Sequence, residues 1–121
     1  MINNNVLAEK SKAFAIRIVN LYKHLCDEKH EYVLSKQILR SGTSIGANAH
    51  EAKQAQSRPD FYSKLGIALK EASETEYWLD LLHETGYITD SAFASIHADC
   101  VELIKILTAT VKTKNRPSTR Q

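Results

Sequence analysis

The sequence is poor in residues that break helices. Only 4 glycines and 2 prolines occur in 121 residues, too few for a turn-rich all-β chain or for a low-complexity disordered one. Cysteine is equally scarce: Cys26 and Cys100 stand far apart without C-x-x-C spacing. That excludes a disulfide framework and a zinc site, and suits small core residues in a reducing cytoplasm. No apolar run approaches the ~20 residues that a membrane crossing takes. The opening Met1-Ile2-Asn3-Asn4-Asn5 has no basic stretch ahead of an apolar one, so no secretion signal is expected and the expected location is cytoplasmic. Also missing are a Gly-rich phosphate loop, a G-x-S-x-G elbow, a G-x-G-x-x-G fingerprint and H-E-x-x-H, which argues against an enzyme and against a bound cofactor.

What is present is ordinary for one globular domain: 43% hydrophobic and 25% charged residues in a length with no room for a second domain. The net charge of +2 hides a pattern. Residues 1–58 carry 9 basic and 5 acidic side chains, residues 59–111 carry 3 and 9, and residues 112–121 carry 4 basic ones and no acid. Such asymmetry fits helices that pair electrostatically within one subunit. It fits equally a basic surface that meets an acidic neighbour or a nucleic acid.

Apolar residues recur at helical spacing in four segments. The first is expected from about Asn5 to Asp27, capped by Asn3, Asn4 or Asn5, with Leu7, Ser11, Phe14, Ile18, Leu21 and Leu25 on one seam. The charged Asp27-Glu28-Lys29-His30 turns the chain. The second is expected from about Glu31 to Gln56, with Leu34, Ile38, Ser41, Ile45, Asn48 and Ala52 inward. Its Gly42 and Gly46 each cost about 1 kcal/mol relative to Ala. They imply either a neighbouring backbone that comes close or a helix bent at that point. Ser57 can cap the third, with Pro59 and Asp60 in its first turn; Phe61, Leu65, Ala68, Ala72, Thr75, Leu79 and Leu82 form its seam and Gly86 its stop. Thr89 or Asp90 starts the fourth, with Phe93, Ile96, Cys100, Leu103, Leu107 and Val111 inward, and Asn115-Arg116-Pro117 ends it. Short links between helices this long predict an all-α, antiparallel up-down-up-down four-helix bundle over residues 1–114, followed by a basic tail, 115–121, expected to be disordered.

The third helix has apolar surface to spare. Ile67, Tyr77, Trp78 and Leu81 are expected on roughly the opposite side of the helix from its seam, whereas a monomeric bundle packs one face of each helix. Two readings stand: an association surface anchored on aromatics, or a wide face that wraps further into the core. On the second helix Arg40, Ser44, Asn48 and Glu51 step along one polar stripe, which is either a subunit contact held by a hydrogen-bond network or a solvated face. Lys36, Arg40, Lys53, Arg58, Lys112, Lys114, Arg116 and Arg120 are the candidate phosphate contacts. Asp27-x-x-His30 and Asp80-x-x-His83 look like half-sites of a bundle metal centre, but the acids are Asp and the pairs lie off the seams, so no metal is expected. His50-Glu51, His83-Glu84 and the pair Ser44 and His50 have the wrong spacing for catalysis.

The stretch from Leu34 to Ala52, LSKQILRSGTSIGANAHEA, together with Asp60 to Leu79, DFYSKLGIALKEASETEYWL, resembles the second and third helices of the four-helix bundle proteins also called 23S ribosomal RNA intervening-sequence proteins. The sequence departs at Ala49, where a larger aliphatic is usual, and at Ala52, where Gly is frequent. The resemblance implies a ring-like homopentamer and no enzymatic activity. A similar accessory protein of diversity-generating retroelements uses the same bundle to bind nucleic acid through a basic surface. The expected partners are therefore further copies of the chain, with RNA or DNA as a candidate and no membrane or small-molecule substrate. The alternative is a structural or adaptor oligomer with no nucleic-acid contact.

Overall fold

Each helix starts and stops where local chemistry directs. In the computed structural model, which describes residues 4–115, α1 spans Asn4–Asp27, α2 Leu34–Lys53, α3 Arg58–Glu84 and α4 Asp90–Lys112, with a 3-10 turn at Thr113–Asn115. Asn3, a candidate cap of α1, and the tail residues Arg116 to Gln121 lie outside the described residues. Ser57 Oγ accepts from the Asp60 amide at 3.1 Å and Thr89 Oγ1 from the Ala92 amide at 3.2 Å, so both expected caps form. Gly86, at φ 86°, takes the left-handed conformation that ends α3.

The second helix is shorter than its periodicity predicts. It begins at Leu34, not Glu31, because the Glu31 carboxylate accepts the backbone amides of Val33, Leu34 and Ser35 at 3.2, 3.1 and 2.7 Å. A side chain so engaged caps the helix from outside it. The chain gets there through His30, whose φ of 54° reverses its direction. At the other end α2 closes at Lys53, and the Gln54 amide folds back onto the Glu51 carbonyl at 3.0 Å.

The helices pack in the order α1 on α2, α2 on α3 and α3 on α4, and α4 closes back more loosely onto α1. Phe14, Ile18, Leu25, Ile38, Ile45, Leu65, Leu79, Leu82, Leu103 and Leu107 form the centre of the core. The helix runs unbroken through its glycines, because α1 lies against them. A Cβ on Gly42 would meet Ile18 at 2.7 Å, and one on Gly46 would meet the Ser11 carbonyl oxygen at 3.2 Å. Three seam positions differ from expectation, the first at the start of α2, where Ser35 is fully buried and Leu34 only in part. Ala49, not Asn48, is buried on α2, while Asn48 is half-buried with its amide donating back to Ser44. Thr110, not Val111, is buried on α4, and its hydroxyl is satisfied by the Ile106 carbonyl at 2.8 Å. The other buried hydroxyls are paired too: Thr75 Oγ1 lies 2.9 Å from Ser41 Oγ and 2.8 Å from the Glu71 carbonyl. Among the described residues no helix is long and apolar enough to cross a membrane.

Candidate functional site

The polar stripe of α2 and the outer stripe of α3 face each other. On α3, Lys64, Ile67, Glu71, Glu74, Trp78 and Leu81 follow one another at steps of three and four, so they share the flank of the helix next to α2. Arg40 sits between two of these carboxylates: its Nη1 reaches Glu71 Oε1 at 3.1 Å and its Nη2 pairs with Glu74. Glu74 also accepts the indole N–H of Trp78 at 2.9 Å. One helical turn or more away, Lys64 pairs with Glu51 at 3.1 Å. Asn48 stays on its own helix and donates to the carbonyl and hydroxyl of Ser44 at 2.9 and 3.0 Å. Arg40 and Glu51 reach across to α3, with Ser44 and Asn48 between them on α2, and along that contact two cations, Arg40 and Lys64, meet three carboxylates, Glu51, Glu71 and Glu74.

The apolar residues read from α3 divide. Ile67 is 41% and Tyr77 59% exposed. Trp78 and Leu81 are only half-buried, not bare, and Trp78 leans on the core while the Tyr77 ring meets it edge-on at 5.1 Å. Periodicity missed the counter-charges Lys64, Glu71 and Glu74. Their signal was the same 3-4 stepping that placed Ile67, Trp78 and Leu81 away from the seam.

The candidate phosphate contacts scatter more. Lys53 closes α2, Arg58 opens α3, Lys112 closes α4 and Lys114 lies in the 3-10 turn. Arg58 ties that end together: it donates to the Thr113 carbonyl at 3.3 Å and stacks 5.3 Å over Tyr62. The Tyr62 phenol bonds the Thr113 hydroxyl at 2.6 Å. That bond, with the Arg58 guanidinium beside it, holds the phenol below its ordinary value. Lys36 lies in the first turn of α2, away from this end, and Arg40 is already paired with acids. Arg116 and Arg120 lie outside the described residues.

The metal half-sites come apart. His30 bonds Tyr32 at 3.1 Å, and His83 pairs with Asp90 at 2.7 Å instead of Asp80. Among the described residues no three His, Cys, Asp or Glu side chains gather as metal ligands would. Burial pushes the Cys100 thiol up to about 12, helped by the Glu76 carboxylate.

Fold and face together define a small all-α protein of four helices with a charged and aromatic outer surface on the second and third. The chain belongs to the 23S rRNA-intervening sequence protein family, whose family model matches residues 3–109. It is similar to a protein of unknown function from the S23 ribosomal protein family of Bacteroides thetaiotaomicron, known from a crystal structure. The two are 61% identical with a TM-score of 0.90, over 93% of this chain and 100% of that one. No curated protein matches the sequence.

Proposed function

We propose that the chain is a non-enzymatic, cytoplasmic homo-oligomer that associates through the outer α2–α3 face. The bundle runs antiparallel, up-down-up-down: Arg40 pairs with Glu74 while Glu51 pairs with Lys64, so residue numbers rise on α2 as they fall on α3. The observation that carries association is the exposure of Ile67 and Tyr77 beside half-buried Trp78, on a face where the cations Arg40 and Lys64 are already paired. Covering such a face strands no cation, and its aromatic residues supply the anchors that interfaces favour. The resemblance to ring-forming bundles supports a pentamer.

Association also gives the basic end a purpose. Lys53, Arg58, Lys112 and Lys114 are few for one chain, but a ring of copies would present the group repeatedly and gain by multivalency. RNA or DNA is the partner such a rim fits. Two unpaired thiols, Cys26 and Cys100, suit a reducing compartment. Filter binding of RNA at several salt concentrations tests the rim: affinity should fall steeply with salt, at a log–log slope of about −0.7 per single-strand phosphate contact. Salt-independent binding or none, with the oligomer intact, leaves the structural or adaptor role in its place.

A further inference from the structure

A cavity of about 560 Å³ opens between the second half of α1 and the α3–α4 corner, on the side where α4 meets α1 more loosely than the other neighbouring helices meet one another. That is the size of a small-molecule site. Leu21, Ile88 and Ile96 give it apolar walls, and Ile88 and Ile96 are themselves buried. Among the described residues its charged lining is of one sign: Arg17 and Lys29 contribute, with the His24 imidazole beside them and no carboxylate in the wall. Arg17 is held in position from α4, by Asp99 Oδ2 at 2.8 Å and by the Ser95 carbonyl and hydroxyl at 3.3 and 3.0 Å. A guanidinium has five donors, so these three contacts leave donors free for an oxyanion, although its charge is shared with Asp99. Lys29 makes no ion pair among the described residues.

We infer that this cavity binds a small organic carboxylate with an apolar body. The body lies on Leu21, Ile88 and Ile96, and the carboxylate faces Arg17 and Lys29, where a planar oxyanion matches the guanidinium edge. Thr89 and Ala92 line the same cavity at the start of α4, so the positive helix end adds to the same field. The site lies on the α1–α4 side of the bundle, and it does not depend on the α2–α3 face.

Calorimetric titration of the purified protein with phenylbutyrate tests this, with phenylbutanol as the uncharged match. Phenylbutyrate should saturate one site per chain and bind more tightly than the alcohol. The exposed substitution Lys29→Gln should weaken it about three- to tenfold, the scale of a part-solvated charge contact. Ala92→Trp, which fills the cavity, should abolish binding while helicity and oligomer mass stay as in the wild type. Hydrogen exchange should slow in residues 17–29 and 86–96 on binding. No saturable heat at millimolar probe, equal binding of the alcohol, or unchanged affinity in Lys29→Gln would overturn the assignment. A change of oligomer mass in the α2–α3 variants bears on self-association alone.

Discussion

At the scale of single residues, the glycines have opposite roles that the sequence alone does not separate. A Cβ at Gly42 would lie within 3.0 Å of three Ile18 carbons, whereas one at Gly66 meets nothing within 4 Å. Gly42→Ala should therefore destabilise by about 1–3 kcal/mol through overpacking, despite the better helix former. Gly66→Ala, on the α3 surface, should stabilise by about 0.5–1 kcal/mol. Urea unfolding of the two variants checks both signs. The cysteines differ in a similar way. Cys100 is buried and its thiol is held up to about 12, while Cys26 is half-exposed, so a thiol reagent should modify Cys26 first. The folded state holds the Cys100 proton more tightly than the unfolded chain does. Its contribution to stability is thus fully present below the ordinary value of 9.0 and is lost as pH rises towards about 12. Urea midpoints measured across that range should fall less steeply in Cys100→Ala than in the wild type.

At the scale of elements, the start of α2 depends on one carboxylate outside the helix. Glu31→Gln removes the charge that three backbone amides point at, and should cost about 1 kcal/mol, with faster amide exchange at Val33 to Ser35. The same element shows how far a sequence can be read. The seams of α1 and α3 were legible because Phe14, Ile18, Leu65 and Leu79 repeat at helical spacing and are large enough to mark the core. Ser57, Thr89 and Gly86 were legible because caps and stops require those residue types. The start of α2 was not, since Glu31 reads as one more polar residue until its carboxylate is seen on the amides. Burial of Ala49 in place of Asn48 was not legible either, because α2 is so rich in small residues that its inward edge is set by α1. At the outer face the stripes of α2 and α3 could each be read. Their meeting could not, because Arg40 finds Glu71 and Glu74 only across more than 30 residues of sequence.

At the scale of the whole molecule, the uneven charge along the chain resolves into contacts between helices. Basic α1 and α2 residues meet acids on α3 and α4: Lys10 with Glu102, Arg17 with Asp99, and Arg40 with Glu71 and Glu74. These are surface pairs, each contributing about 0–1 kcal/mol, so they select which helices neighbour one another more than they hold the fold together. The hydrophobic seams hold it. Among the large apolar residues they leave exposed, Val6, Ile16, Tyr32, Val33, Ile67 and Tyr77, the last two lie on the outer side of α3, at the proposed α2–α3 face.

The most direct test of that face is the mass of the protein in solution, by light scattering, for the wild type and for Ile67→Glu with Tyr77→Lys. Both positions are exposed in the subunit, so helicity should be unchanged by the substitutions. The account predicts a multiple of the 13.6 kDa chain for the wild type and a monomer for the double variant. A monomeric wild type, or a double variant with undiminished mass, would contradict it.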